Sequence, residues 1–434
     1  MRIRPFHAPW AGLLGAWLVG SLAACGGGGS DDVEDVPDVP DVSDAEVAPD
    51  DGPHDADVGD EAARPDDEVD AGEDVIELDG LEEDDVEADV EAEADVPEDA
   101  AEDGGGPPPG CIEGDFAPYW GDLHAHTSNS DGEGSPAEAF AYARDVGGLD
   151  IMAVTDHLEQ LYLGFDLWSG CRDAADAANA PGTFVALCGF EYGSGFDSIF
   201  RSTGHNNVFF SDGLFPAIQT DFHDFYDSLV GCAQCIGQFN HPLDGSEEHW
   251  NHFEYFPDVD ERMSLFEQNS AGDAWAQLFL ALDAGWHVSP MKNQDNHSAN
   301  WGTANDNRSG FWLTVLNRPA LRTAMLERRT FSTEDKNAWI RMLGAGSCWM
   351  GSTLSGVPTL ELTVEVEDAD PAEGFATIEL YGPGQALLAS HDCAGAASCT
   401  AVFSRTVDAP TYFVGRAIES DGQILIAAPI WAAP

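Results

Sequence analysis

The chain has 434 residues, 17 Lys+Arg against 80 Asp+Glu and a formal net charge of −63. Residues 31–110 hold 35 acidic residues and a single basic one, Arg64, while residues 111–434 hold 45 acidic and 14 basic residues with nearly all the aromatics. A −31 region with only two lysines, Lys292 and Lys336, argues against a nucleic-acid partner and against adhesion of the folded part to an anionic membrane; it is long enough for one large domain and a small one.

At the N-terminus Arg2 and Arg4 precede an apolar run over residues 8–24, of signal-peptide length and short for a membrane span. It closes as Leu22-Ala23-Ala24-Cys25 before a glycine stretch. That ending resembles a bacterial lipobox, which implies a signal peptide over 1–24, cleavage before Cys25 and lipidation of its thiol; an ordinary secretory signal is the alternative. The expectation is an exported lipoprotein held by its acyl chains on the periplasmic face or the cell surface, at the outer membrane.

Residues 25–110 form an acidic linker, with no aromatics after Cys25 and almost no long aliphatics to bury. Like charges at this density keep the chain extended and disordered. A plain tether is favoured over a weak calcium reservoir, because no EF-hand ligand spacing appears.

The cysteines beyond 110 are Cys111, Cys171, Cys188, Cys232, Cys235, Cys348, Cys393 and Cys399. An even number in an exported chain points to disulfides. Cys393 with Cys399 closes a small loop, and Cys171 with Cys188 and Cys111 with Cys348 are the further expected pairs. Cys232-x-x-Cys235 is either a local bridge or part of a redox or zinc motif, and without thioredoxin-like surroundings the bridge is expected.

Most of the histidines fall between 124 and 297, at the ends of apolar runs and beside carboxylates. Tyr119–Leu123 leads into His124-Ala125-His126, where residues i and i+2 of an extended segment face one side. Thr127–Gly132 then makes a turn carrying Asp131, and Ser135 with Pro136 opens a helix through Ala143 or beyond. Gly148–Thr155 is a buried-strand run ending in Asp156-His157. The pattern recurs: Thr183–Gly189 into Glu191, Gly204-His205 before Val208–Phe210, Cys235–Phe239 into Asn240-His241-Pro242, Met263–Phe266 into Glu267, and Val288–Met291 towards Asp295-Asn296-His297. Strand, polar loop, helix, strand is the signature of a parallel sheet, whose functional groups gather at the carboxyl ends of its strands.

The ordered set His-x-His, Thr-x-x-Ser-Asp-Gly, Thr-Asp-His, Phe-Glu, Gly-His, Asn-His-Pro and Asp-x-His resembles the polymerase-and-histidinol-phosphatase (PHP) superfamily over about residues 119–340. The likeness is greatest to its larger secreted members with a C-terminal extension. It implies an α/β fold, a distorted (β/α)7 barrel over 111–350, with two or three divalent metal ions at its mouth. His124, His126, Glu191 and Asp295 would hold one metal. Glu191 would bridge to a second held with His205 and His241, and Asp131, His157 and His297 would hold the third. Some relatives carry histidine where this chain has Asp131, which shifts metal preference. Glu191, Asp295 and His157 are counted as catalytic.

Chemistry agrees with this reading. Imidazoles with three carboxylates suit Zn, Mn or Fe. A carboxylate bridging two cations lets a water between them lose its proton near neutral pH, and the cations sit opposite the charge developing on an ester. Asp156 is a candidate to orient His157 or a neighbouring ligand. Arg201, Lys292 and Arg308 are candidates for gripping a phosphate oxygen, with a local ion pair as the alternative for each. His223, His249, His252 and His287 match no motif. Trp301 is close enough to the last motif to meet substrate.

Leu321–Arg329 reads as a short helix. From Pro358 the pattern turns β, with Leu360–Val366, Ala376–Tyr381, Thr411–Ile418 and Gln423–Ala428 alternating apolar and polar residues. A small all-β sandwich over 351–434 is expected. The leading function is hydrolysis of small phosphate mono- or diesters by a metal-bridging hydroxide. The alternatives are metal-assisted hydrolysis of a carboxylic ester or amide, and a surface binding lipoprotein without catalysis.

Overall fold

The computed structural model describes residues 106–434 apart from 194–203, 217–221, 243–248, 269–273 and 371. The expected signal peptide, Cys25 and nearly all of the acidic linker lie outside the described residues, as does Arg201. The end of the linker is already tied in: the Ser355 amide donates to the Pro109 carbonyl at 3.2 Å.

The first part of the fold runs β1 (Ala117–Asp122), α1 (Pro136–Asp145), β2 (Ile151–Val154), α2 (Leu158–Leu161), α3 (Leu167–Ala178), β3 (Val185–Cys188), β4 (Phe190–Tyr192) and β5 (Asn206–Phe209). It continues through α4 (Phe222–Gly231), β6 (Ile236–Phe239), α5 (Pro257–Asp260), β7 (Met263–Glu267), α6 (Trp275–Ala284), β8 (Ser289–Met291), β9 (Arg308–Leu313), α7 (Arg318–Leu326) and β10 (Thr330–Thr333). α1 starts as its sequence requires. Ser135 accepts from the Glu138 amide, Glu138 answers to the Ser135 amide, and Pro136 occupies the first turn, which lacks partners for its own amides. α7 begins at Arg318 rather than Leu321, because Asn317 caps it by accepting from the Ala320 amide.

Two arcs of sheet carry the site. β1, β2 and β3 are parallel, with β9 antiparallel on the far side of β1. In the second arc β5 runs antiparallel to β4 and β6, and β6, β7 and β8 are parallel. Gly189 alone separates β3 from β4, so one extended run serves both arcs. A Cβ at Gly189 would lie 2.6 Å from the Val208 carbonyl. The arcs meet again where His157 bridges Glu191 and Ala125 bridges Asn296. Both bridges lie just past the carboxyl ends of strands, so the junctions and the expected motifs coincide.

Strand alternation divides the packing. Ile151, Ala153, Val185 and Leu187 pack inward with Phe209, Ile236, Leu265 and Met291. Met152, Val154 and Ala186 turn outward onto Phe140, Ala143 and Ala175 of the helices. Both faces of β2 are therefore apolar, as a sheet covered on two sides demands. Burying Phe140 alone is worth roughly 2–3 kcal/mol.

The C-terminal strands are β11 (Trp339–Gly344), β12 (Cys348–Trp349), β13 (Thr353–Leu354), β14 (Thr359–Glu367), β15 (Phe375–Gly382), β16 (Ala386–Ala396), β17 (Ser398–Thr406), β18 (Thr411–Glu419), β19 (Ile424–Ala427) and β20 (Ile430–Ala432). One layer is β12-β11-β14-β17. The other contains β15, β16, β18, β19 and β20 and runs through the β19–β10 pairing into β9 and β1. Ile340, Met342, Leu362 and Val364 face Ile378, Leu380, Phe413 and Leu425 between the layers, which is sandwich packing. It departs from the expected small domain over 351–434 in two ways. β11 and β12 already belong to it, so a boundary at 350 falls inside a sheet. Its second layer is also continuous with the sheet of the first part.

The disulfides are Cys111–Cys348, Cys171–Cys188, Cys232–Cys235 and Cys393–Cys399. All are the pairs expected from sequence, and Cys232-x-x-Cys235 is a local bridge.

Candidate metal centre

His124 and His126 follow β1, held in place by backbone. Between them Ala125 forms its single bridge to Asn296, and the His126 amide donates to the Asn296 carbonyl at 2.9 Å. Alternation across Ala125 then sends both rings to one side, where their Nε2 atoms lie 3.3 Å apart. Gly132 allows the following turn to close on this segment, since a Cβ there would lie 2.6 Å from the His126 carbonyl carbon.

Glu191, 1 % exposed, is the hub. Its Oε1 is 3.3 Å from His124 Nε2, 3.0 Å from His205 Nδ1 and 3.2 Å from His241 Nε2. Its Oε2 is 3.3 Å from His126 Nε2 and 3.0 Å from His157 Nδ1. Asp295 Oδ1 lies 3.2 Å from both His124 Nε2 and His126 Nε2. On the other side, Asp131 Oδ1 is 3.3 Å from His297 Nε2, 3.5 Å from His157 Nε2 and 3.9 Å from His126 Nδ1. Every expected ligand is thus present in one cluster. His124, His126 and Glu191 converge on one point and Glu191, His205 and His241 on another, while Asp131, His157 and His297 converge together with His126. Asp295 groups with His124 and His241 as well.

The donor set fits divalent ions. Bonds of about 2.0–2.2 Å to a tetrahedral zinc set neighbouring ligand atoms about 3.3–3.6 Å apart, close to the spacings seen. Asp295 Oδ1 and His157 Nδ1 are buried without a well-formed hydrogen bond, although each has a neighbour within 3.2 Å. These atoms point at shared space rather than at one another. Asp295 and His241 also hold φ of 47° and 31°, a left-handed backbone that is costly for non-glycine residues and that clusters at functional sites.

Charge tells the same story. Burial alone would keep the His124 imidazole neutral, but Asp295, Glu267 and Glu191 together outweigh it and raise its pKa well above the ordinary value. His126, against the same burial, is raised to about 9 by Asp295 and Glu191. Glu191 is held well below the carboxylate range, since the histidines overcome the cost of burying it. Asp295 is lowered for the same reason, chiefly by His124 against its own burial. Without a cation the site draws protons, and a bound divalent ion would take their place.

Around these clustered side chains lies a set of residues that hold them in place. His124 Nδ1 donates to Glu267 at 3.0 Å, which leaves Nε2 free to ligate. The His241 amide donates to Glu267 Oε2 at 2.7 Å, and Asn293 donates to Oε1 at 3.0 Å. Asn240 Nδ2 donates to Glu191 Oε1 at 2.9 Å. Asp156 accepts from the Thr127 amide, the Thr127 hydroxyl and the Ser130 hydroxyl, each at 2.7 Å; Ser130 Oγ in turn lies 3.4 Å from His126 Nδ1. Asp156 therefore acts on the neighbouring His126 turn and not on His157. Asp122 accepts from the His124 amide at 3.0 Å, and burial pushes its carboxyl up to about 6.

No family model and no curated protein matches the chain. Among solved structures it is similar to a two-domain protein from Bacteroides vulgatus described as containing a predicted PHP-like metal-dependent phosphoesterase, at 16% identity and a TM-score of 0.41, covering 72% of this chain and 95% of that one. It is similar to PsfC from Pseudomonas syringae at 15% identity and a TM-score of 0.36, covering 49% of this chain and 90% of that one. It is also similar to the lesion-specific endonuclease EndoQ from Pyrococcus furiosus at 12% identity and a TM-score of 0.31, covering 48% and 56%. Likenesses of this degree leave the activity to be read from the chain's own side chains.

Several expected roles find other partners. Arg308, 4 % exposed, donates to the carbonyls of Asn305, Asn307 and Gly302 and so secures its own loop instead of facing a ligand space. Lys292 Nζ pairs with Glu334 at 2.9 Å. Trp301 is buried and donates from Nε1 to the His126 carbonyl at 3.1 Å, bracing the ligand segment rather than meeting substrate. His287 pairs with Asp260 at 2.7 Å, His223 packs on Phe256, and the short helical turn His249–Phe253 turns Trp250 and Phe253 into the core. Glu267, Asn240 and Asn293 carried no assigned role in the sequence. Glu267 had a signal, since it ends an apolar strand as the ligands do.

Proposed function

We propose that the chain is a metal-dependent phosphoesterase built on a distorted (β/α)7 barrel of the PHP type, hydrolysing phosphate mono- or diesters of small molecules. The observation that carries this reading is Glu191. One buried carboxylate stands 3.0–3.3 Å from five imidazoles supplied by four segments, an arrangement for holding more than one cation. His124, His126 and Asp295 would hold one ion with it, His205 and His241 a second, and Asp131, His157 and His297 a third. Zn, Mn or Fe suits these donors. Bound ions supply Lewis acidity, lowering the pKa of a water and neutralising charge on the ester. The chain's own part is to fix the ligands: Glu267 sets the His124 tautomer, Asn240 orients Glu191, and Asp156 with Trp301 holds the His126 turn.

The region's −31 charge favours small anionic esters drawn to the ions over long nucleic acids. Disulfides in the folded part support export to an oxidising compartment. In this reading Cys25 carries lipid and tethers the protein to a membrane, at the outer membrane facing the periplasm or the cell exterior, through the acidic linker.

Metal-reconstituted protein is assayed on p-nitrophenyl phosphate, its bis-ester and p-nitrophenyl acetate. Turnover of either phosphate ester supports the reading. Turnover of the acetate alone supports a carboxylic ester hydrolase, and bound metal without turnover on any of them supports a binding protein.

A further inference from the structure

A second carboxylate cluster lies in the C-terminal β region. We propose that Asp335, Asp368, Glu373 and Glu419 form a calcium site that ties the end of β10 to both layers of the C-terminal sandwich.

Asp335 follows β10, Asp368 follows β14, Glu373 precedes β15 and Glu419 ends β18. The ligand oxygens of Asp335, Asp368 and Glu373 lie within 4.8 Å of one another, and the backbone sets Glu419 beside Glu373, since Glu419 pairs with Phe375 and the Ser420 amide donates to the Gly374 carbonyl at 2.8 Å. Oxygens on opposite sides of one Ca2+ are about 4.6–5.2 Å apart, so one ion spans the group. The group holds carboxylates alone, with no histidine or cysteine, which selects a hard cation over zinc.

Burial separates this cluster from an ordinary acidic surface patch. Asp335 is 3 %, Asp368 4 % and Glu419 2 % exposed. Asp335 is partly used by its own turn, accepting from the Asn337 and Ala338 amides at 2.7 Å. Asp368 uses one oxygen for the Asp370 amide at 2.8 Å, and its Oδ2 is buried with no partner. Both oxygens of Glu419 are likewise buried and unpartnered. A buried carboxylate left without a donor is costly unless a cation or a proton satisfies it. The one lysine at the cluster's edge, Lys336, is half exposed and reaches Asp370 at 3.7 Å. A proton is the rival occupant: burial, with Asp335, Asp368, Asp421 and Glu373 around it, pushes the Glu419 carboxyl up to about 8.

The site's consequence is mechanical. Asp335 belongs to the link between β10 and β11, and the adjoining Glu334 pairs with Lys292 and accepts from the Ile424 amide. An ion there would fasten the sheet that carries the metal centre to both sandwich layers.

The test uses the full chain with its histidine cluster already loaded with zinc. Adding Ca2+ to about 1 mM, the upper range for extracellular modules, is expected to raise Tm by a few degrees, with a smaller response to Mg2+. Glu419→Gln is expected to abolish the calcium shift while leaving the calcium-free protein at least as stable as wild type, since a glutamine amide needs neither a cation nor a bound proton to be neutral. Glu191→Gln is expected to keep the shift. An absent shift in wild type, an equal shift with Mg2+, a shift retained in Glu419→Gln or one lost in Glu191→Gln overturns the proposal. Should Glu419→Gln fail to fold, radiocalcium equilibrium dialysis of wild type and Glu191→Gln decides: one retained ion in both supports the site, and none overturns it.

Discussion

His124 Nδ1 stands 3.0 Å from Glu267 Oε1, and both side chains are fully buried. The contact leaves His124 Nε2 facing Glu191 and Asp295. Because Glu267 also receives the His241 amide, one carboxylate outside the ligand set orients ligands from two different strands. Glu267→Gln keeps an acceptor but loses the charge that raises ligand basicity. Metal affinity is expected to fall about 10-fold, read as bound metal after dialysis against graded chelator. Unchanged affinity would remove Glu267 from the account.

Metal-free protein should show a pH signature. The His126 pKa is raised to about 9 and that of His124 is also raised. Their pairing with Glu191 and Asp295 therefore stabilises the fold fully below the unfolded histidine value of about 6.5 and is lost as pH climbs through about 9. The carboxylates, with lowered values, contribute above their unfolded values and lose that contribution only in strong acid. Tm of the metal-free protein is expected to fall between about pH 7 and pH 10. Metal-loaded protein, whose histidines are already deprotonated, should show a flatter profile. Equal slopes in the two forms would contradict the electrostatic description.

Trp301 separates a bracing role from a substrate-binding one. Trp301→Phe removes the donor to the His126 carbonyl and leaves a small void, at a cost of about 1–2 kcal/mol in urea unfolding. A lower kcat with KM nearly unchanged is expected, since the indole is buried. A raised KM with unaltered kcat would return Trp301 to the cleft wall.

The ligands were legible in the sequence because they obey a local rule. His124, His126, His157, Glu191 and His241 sit just beyond short apolar runs, and the carboxyl ends of parallel strands share one end of the sheet; His205 instead precedes β5, which runs antiparallel to β6 and so starts at that same end. The cap at Ser135 and the alternation of β14, β15 and β18 were legible for similar reasons. What sequence could not reveal is long-range pairing. Nothing in Thr330–Thr333 announces its neighbour at Leu425–Ala427, so the C-terminal strands read as a separate domain when one layer continues the first. β16 escaped notice because Ala386–Ala396 is rich in Ala and mostly exposed, held as an edge by β15. Arg308 and Lys292 looked like phosphate grips because charge is visible in sequence, whereas the carbonyls and the Glu334 that occupy them are not.

The proposed function rests on Glu191 being shared between cations. The most direct measurement is anomalous diffraction from crystals of protein reconstituted with zinc or manganese. The account predicts at least two anomalous peaks within about 2.0–2.2 Å of the Glu191 carboxylate oxygens, one flanked by His124, His126 and Asp295 and another by His205 and His241. Metal bound elsewhere, or no peak at Glu191 in fully loaded protein, would contradict it.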